Sequence, residues 1–501
     1  MIFLKYYKLN QKKIENEFEA ITLKLYDILN GVARTFLDNF EVNGIFSDNR
    51  KPMGDGDIFV ALKGARFDAH EFVPDLYKKG VSAFVVERDC GVPNQIIVDN
   101  SRLALSRIWA NYYGNPERKM KLIGVTGTNG KTTTTTVIKK LLTAFGHKCG
   151  LIGTCGNEIG DEPVHAERTT PEPDEFFELL SRMADAGCEY VIMEVSSQGL
   201  CQYRLGDAYF DVAVFTNLTQ DHLDVHGTME NYYQAKKLLF ERCRKALVNM
   251  DDAYGKRLFS EITCEKYSFS IDDYSADYSA SGTELESSGS DFWYSTPKKS
   301  FKAHIRLPGS YNVSNCLAAL AALDLMGYEG NAAVPAIANV AGVRGRCEVV
   351  PTGRDFTVIL DYAHTPDALD NILSAVRVLT KGRLVCLFGC GGNRDPIKRP
   401  LMAKSAAHHA DFLIVTSDNP RDEEPHAIIT EIIAGLEGEA CEYIEIDDRR
   451  EAIFWAIENA RPGDVIVLAG KGHEDYQILA GGQKIHFDER EVVAEALESL
   501  K

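Results

Sequence analysis

No apolar run in the 501 residues approaches the ~20 needed to cross a bilayer, so no membrane span is expected. No secretory leader is expected either. Lys5, Lys8, Lys12 and Lys13 open the chain, but neither an apolar core nor a small-residue cleavage site follows them. Positive charge is in short supply: 55 Lys and Arg stand against 73 Asp and Glu, a net charge of -18. That excludes a general nucleic-acid binder, which needs a basic face. It does not exclude anion binding, because glycine loops, helix N-termini and a few arginines can oppose the overall field locally. The twelve cysteines contain no CxxC pair and no framework spacing, the closest two being Cys386 and Cys390. They read as reduced thiols, mostly in cores, of a cytoplasmic protein.

What is present is the composition of a soluble globular protein, 45% hydrophobic and 26% charged, in a chain too long for one core. Residues 1–20 read as an extension ahead of the fold. Residues 21–119 carry short apolar runs bounded by glycine turns, such as Asp57–Leu62 and Val81–Val86, which predict a small α/β domain. Residues 120–345 open with the buried strand Lys121–Val125, a glycine-rich turn, and a helix with Val137, Leu141 and Phe145 on one stripe beside Ile138 and Leu142. Strands at Tyr190–Val195 and Phe210–Thr216 predict a mainly parallel sheet, and 267–300 predicts antiparallel strands and loops. Residues 346–501 alternate again, with strands at Val358–Leu360, Leu384–Phe388, Phe412–Val415 and Val465–Leu468. Such doubly wound sheets bind ligands beyond the carboxyl ends of their strands, where Asp361, Gly389, Asp418 and Gly470 fall.

The strongest local signal is Gly124-Val-Thr-Gly127-Thr128-Asn129-Gly130-Lys131-Thr132-Thr133. Glycines let backbone N–H groups approach phosphate oxygens, the following helix N-terminus favours negative charge, and a threonine hydroxyl can ligate Mg²⁺. It is a variant phosphate loop, because Val125 stands where the strict spacing wants glycine. Glu194 ends an apolar strand, where a carboxylate is costly unless it meets a cation. His222 follows another strand, and Lys236 sits in a predicted helix. Each alone also reads as an ion pair, a helix cap or a snorkelling lysine. With the phosphate loop on the same sheet they read as a metal-assisted phosphoryl-transfer site.

The segments GTNGKTTT, MEVSSQGL, TNLTQDHLDVHG, LPGSYNVSN, DYAHTPDAL, GCGGNRDPIKRP and AGKGHEDYQ, in this order, resemble the Mur ligase family, and most closely its members that add the third stem-peptide residue. The resemblance runs from about residue 45 to the C-terminus. It implies an α/β protein of three domains: a small N-terminal α/β domain for the UDP moiety, a central P-loop-type ATPase, and a C-terminal Rossmann-like domain for the incoming amino acid. It also implies ATP and Mg²⁺ as cofactors, and a monomer acting on UDP-N-acetylmuramoyl-L-alanyl-D-glutamate and meso-diaminopimelate. By position, Gly127, Thr128, Asn129, Gly130, Lys131, Thr132, Thr133, Asn312, Asn315, Asp361, His364 and Lys398 would hold ATP. Thr132, Glu194, His222 and a carbamylated Lys236 would hold metal, and Lys131, Glu194, His222 and Lys236 would be catalytic. Ser47, Arg50, Thr169, Thr170, Ser197, Gln202 and Arg204 would hold the UDP-dipeptide. The chain departs from the family pattern at Asn49, Gln198 and Arg344; the last replaces a proline and frees φ there.

Which amine is added turns on Asp418-Asn419-Pro420-Arg421, the version of this motif that resembles diaminopimelate-adding members; Arg394, Gly470 and Glu474 match the other positions. Meso-diaminopimelate differs from lysine by a distal carboxylate, which the planar arginine fork fits bidentately. The bland alternative is a turn arginine facing solvent. Rival readings are the lysine-adding ligase, folylpolyglutamate synthase, a plain P-loop kinase, and a non-catalytic subunit on a retained Mur fold.

Overall fold

The computed structural model describes residues 23–64, 67–286, 289–340, 342–378 and 380–500; the expected extension, 1–20, lies outside them. The chain divides into two compact units. One holds the described residues up to Lys119 with segments 171–182 and 202–208, and the other holds the remainder.

In the first unit, Gly44–Phe46, Asp57–Val60, Ala83–Val86 and Gln95–Ile97 pair in that order, all parallel. Parallel sheets need crossovers that cover both faces, and the apolar runs supply residues for each. Ile58, Val60, Ala83 and Val85 pack with Leu25, Ile28, Leu105 and Ile108. Phe59, Phe84 and Val86 pack with Val73, Leu76 and Val81.

The second unit is built on two large sheets. In the first, seven parallel strands run in the order Tyr278–Glu286, Glu265–Ser270, Cys243–Asn249, Phe210–Phe215, Lys121–Thr126, Tyr190–Glu194, Cys149–Ile152. Antiparallel strands extend it at both edges, making eleven. The stripe Val137, Ile138, Leu141 and Leu142 of helix Lys131–Ala144 packs with helix Ser310–Leu325 over this sheet in one cluster. In 267–300 the hairpin strands are antiparallel as expected, but Phe269 and Tyr278 pair in parallel, so the segment continues the main sheet.

The second sheet orders Glu348–Val350, Thr357–Asp361, Val465–Ala469, Leu384–Phe388, Phe412–Thr416, Glu442–Ile446, with only the first strand antiparallel. Helices cover both faces, over two separate clusters. A small hairpin, Tyr476–Ile478 with Lys484–His486, follows the last long strand. Among the described residues no helix is long and apolar enough to cross a membrane, and all twelve cysteines are unpaired by disulfide.

Candidate active site

The strand Lys121–Thr126 ends where Gly127 takes φ 155° and Gly130 φ 85°, and the helix begins at Lys131. A Cβ on Gly130 would lie 2.2 Å from Asn315 Oδ1, so only glycine lets the loop meet the second helix. The loop borders a cavity of about 530 Å³. Thr128 through Thr133, Glu194, His222, Lys236 and Asn315 line it from the first sheet, and Arg346, Asp361, His364 and Asp367 from the second. Both sheets thus supply residues to one site within the second unit.

Glu194 pairs in register with Val125, which sets its carboxylate beside the loop. It is 2% exposed. Oε1 accepts from Thr132 Oγ1 and Thr154 N, both at 2.9 Å, and Oε2 accepts from Thr154 Oγ1 at 3.0 Å. Lys131 and Lys236 both donate to Gly127 O, at 2.9 and 2.8 Å. Burial first, then the neighbouring Lys131, holds the Lys236 amine well below its ordinary pKa. Burial lowers Lys131 as well.

Asp221 gathers residues of both sheets. It lies 3.3 Å from His222, 3.8 Å from His364 and 3.8 Å from Lys398. Burial would raise its pKa, but those three groups outweigh it and hold the carboxyl at about 2. Arg346 donates to Thr132 Oγ1 at 2.9 Å and stacks 4.7 Å over the Tyr362 ring. Asn129 Nδ2 donates to Asp367 at 2.5 Å. Asp221, Arg346 and Asp367 were not singled out from the sequence, although each sits inside or beside a motif that was.

Other expected nucleotide residues have narrower roles here. Asp361 accepts from the backbone N–H of Cys347 and Ala363, so its carboxylate is engaged in shaping the turn. Asn312 donates to Pro308 O and does not line the cavity. Thr169 Oγ1 meets Thr154 Oγ1 at 3.0 Å, Thr170 accepts from Ser196 N, and Ser197 meets His226. Ser47, Arg50, Gln202 and Arg204 belong to the first unit. There exposed Arg50 pairs with Asp48, and Arg204 with Gln202 and Glu172.

A second constellation forms beyond the strands Phe412–Thr416 and Val465–Ala469. Arg421 is half-buried and donates only to carbonyls, Gly392 O at 3.0 Å and Asn419 O at 3.3 Å. Arg394 donates to Asn393 O. Among the described residues neither arginine has a carboxylate within 4.0 Å, and burial and then Arg394 disfavour the charge on Arg421. A Cβ on Gly391 would sit 2.8 Å from Arg421 Nη1 and 3.7 Å from Arg394 Cγ. Glu474 accepts from Asn419 Nδ2 at 3.0 Å and from Lys471 at 3.3 Å. A Cβ on Gly470 would lie 2.6 Å from Asp418 Oδ2, and Pro420 is buried in the same turn. Fully buried Lys471, missed from the sequence, also donates to Asn419 Oδ1 and Tyr476 O. Two cations lacking anions thus stand beside two carboxylates, the pattern that receives a zwitterion.

Residues 125–323 match the Mur ligase middle domain, and residues 345–472 match the Mur ligase, glutamate ligase domain. The chain belongs to the Mur ligase family. Among Mur ligases it is 45% identical over 483 residues to a UDP-N-acetylmuramoyl-L-alanyl-D-glutamate--2,6-diaminopimelate ligase of Clostridium tetani, covering 95% of this chain and 98% of that one. It is 42% identical to the ligase of the same name from Bacillus cereus, covering 92% and 95%. A solved structure of a ligase with that name aligns with TM-score 0.68 and 32% identity, over 96% of this chain and 99% of the other. A Mycobacterium tuberculosis folylpolyglutamate synthase shares the fold at TM-score 0.60 and 16% identity, over 74% and 92%. The α/β fold expected from the sequence, with a mainly parallel central sheet and a further parallel sheet in the C-terminal part, is the one observed and is consistent with the Mur ligase fold.

Proposed function

We propose that the chain is the ATP-dependent ligase that joins meso-2,6-diaminopimelate to the D-Glu γ-carboxylate of UDP-N-acetylmuramoyl-L-alanyl-D-glutamate in peptidoglycan synthesis. The observation that carries the choice of amine is the pair Arg394 and Arg421, neither with a carboxylate partner, beside Asp418 and Glu474. A distal carboxylate fits the arginines, and its neighbouring ammonium fits the two acids. Lysine has the ammonium and lacks the carboxylate.

A carboxylate becomes amide-forming only when one oxygen is made a better leaving group. The γ-carboxylate oxygen attacks the γ-phosphorus of ATP, the bond to the β-bridging oxygen breaks, and acyl phosphate and ADP result. The amine nitrogen then attacks the acyl carbon, loses a proton, and phosphate departs. The chain's own part is positioning and charge placement. The loop N–H groups and the Lys131 helix N-terminus cradle phosphate oxygens, Lys131 turns from loop carbonyls to the transferring group, and Arg346 holds the far wall. His364, whose pKa burial lowers to about 4, lines the cavity as a neutral imidazole near pH 7.

Mg²⁺ suits the residues present. Glu194 is a buried carboxylate with no cationic side chain within 4.0 Å among the described residues, and Thr132 Oγ1 is beside it. No group of three or more acidic, histidine or cysteine residues there could hold a metal unaided. Mg²⁺ takes one or two carboxylates and completes its shell with phosphate oxygens and water. Glu194, Thr132, His222 and Lys236 as a carbamate would hold it. Bound there, it would neutralise charge developing on the phosphoryl oxygens.

Ser47 and Arg50 are assigned to the uridine end, and Thr169, Thr170, Ser197, Gln202 and Arg204 to the peptide of the UDP-dipeptide; the protein is assigned as a cytoplasmic monomer. Phosphate release with the UDP-dipeptide and ATP tests the whole reading. Meso-diaminopimelate should support turnover, while L-lysine, L-glutamate and no amine should not. Turnover that prefers lysine would overturn the assignment of the amine.

A further inference from the structure

We infer that Arg449, a residue outside both pockets, positions the amino-acid site by clasping two strand ends that the sheet itself leaves unjoined. The inference rests on the reading that this pocket takes a diamino acid. Arg449 is the first residue of the helix Arg449–Glu458, whose N-cap Asp448 accepts from Glu451 N. Its side chain is 0% exposed, as is that of its partner Glu489. Nε donates to Glu489 Oε1 at 2.8 Å, Nη1 to Ser417 O at 3.2 Å, and Nη2 to Ala469 O at 2.8 Å.

The two carbonyls belong to different halves of the pocket. Ser417 follows the strand Phe412–Thr416 and precedes Asp418-Asn419-Pro420-Arg421. Ala469 ends the strand Val465–Ala469 and precedes Gly470, Lys471 and Glu474. The strand Leu384–Phe388 lies between these two in the sheet, so no backbone ladder connects them. Strands two apart sit about 9.5 Å from each other, a gap that one guanidinium fork spans here. A Cβ on Gly470 would lie 2.6 Å from Asp418 Oδ2 and 4.0 Å from Arg449 Nη2, which puts the fork directly behind the floor of the pocket.

A buried ion pair is weak as a stabiliser, since apolar residues of similar volume often serve the fold as well. What apolar residues cannot do is donate to two carbonyls at a fixed separation, and an ammonium does so poorly. What the arginine supplies at this position is therefore spacing. Lys471 and Asn419 tie the same two segments on the pocket side, so the loops are held from both sides.

Full-length wild type, Arg449→Lys, and the paired variant Arg449→Met with Glu489→Leu distinguish spacing from simple support. The paired variant removes both charges together, so it keeps the core filled if the lysine variant fails to fold. KM and kcat are measured for ATP, the UDP-dipeptide and meso-diaminopimelate, with folding checked by urea titration. The expected result is a KM for diaminopimelate raised about tenfold or more in each folded variant, with kcat and the other two KM values within about twofold. A paired variant with wild-type KM for diaminopimelate overturns the positioning role, as does an equal rise for all three substrates. A wild type that makes no product with diaminopimelate removes the reading of the pocket, and this inference with it; normal wild-type use with unaltered variants removes this inference alone.

Discussion

Arg421 holds φ at 53°, a left-handed backbone that L side chains rarely adopt, and its N–H donates to Ile478 O at 3.1 Å. Strain of this kind persists where the surroundings over-determine it, and here it aims a guanidinium that has only carbonyls to bind. Arg421→Ala should therefore raise the apparent KM for diaminopimelate by roughly 30-fold to several thousand-fold, equivalent to about 2–5 kcal/mol, and leave lysine use almost unchanged. Steady-state kinetics with both amines checks this, and equal losses for the two would end the claim that Arg421 reads a carboxylate. At Lys236, burial and the adjacent Lys131 favour the neutral amine that carbamylation requires. Lys236→Ala should be nearly inactive and regain partial turnover with added acetate or formate; a plain ammonium seen by intact mass in active enzyme would defeat the assignment. Asp221 makes a pH prediction. Its folded pKa of about 2 lies below the ordinary 3.8, so its stabilisation is present above about pH 4 and fades as pH falls toward 2. Asp221→Asn should cost about 2 kcal/mol in urea unfolding at pH 7, and the gap from wild type should narrow near pH 3; a constant gap would show that His222, His364 and Lys398 do not depress it. Lys131, Glu194 and Arg421 were legible in the sequence because a local pattern gave each a chemical role: a phosphate loop, a carboxylate ending an apolar strand, and an arginine closing a short motif. Asp221 and Lys471 were not, because their roles depend on partners 143 and 52 residues away, His364 and Asn419.

The strand, loop and helix at 121–144 form the element on which the nucleotide site depends. Val137, Ile138, Leu141 and Leu142 bury one stripe against the sheet, leaving the N-terminal turn and its N–H groups facing the cavity. Gly130→Ala would keep that stripe but force a side chain at φ 85° into Asn315 Oδ1. The expected cost is about 1–2 kcal/mol in stability, with a sharp rise in KM for ATP and little change for diaminopimelate. An unaltered KM for ATP would mean that the loop does not need this close approach. At this scale, buried parallel strands such as Leu384–Phe388 were readable because continuous apolar runs cannot lie elsewhere. Glu442–Ile446 was missed because its side chains are exposed or half-exposed, leaving no apolar run to find. The short hairpin strands after Gly470 were missed for a related reason: three-residue strands carry no periodicity.

Across the second unit, the nucleotide cavity draws on the carboxyl ends of both large sheets, whereas the amine pocket draws only on the later one. A nucleotide held at one hundred times its Kd should raise unfolding free energy by about 2.7 kcal/mol. Amide exchange should slow together at 127–133 and 361–372. Slowing confined to the loop would mean that the later sheet does not contribute to nucleotide binding. The net charge of -18 is compatible with polyanionic substrates because the arginines and helix N-terminus act within walled sites, where distant surface acids are screened. The separation of the two pockets has a further consequence. None of Gly391, Arg394, Asp418, Asn419, Arg421, Gly470, Lys471 or Glu474 lines the nucleotide cavity. With the amine site as proposed, choice of amine rests on the segments 391–421 and 470–478 with Arg449 and Glu489 behind them, apart from the residues that line the nucleotide cavity. A lineage, or an engineer, could change the cross-linking chemistry of a cell wall without rebuilding the enzyme that drives it.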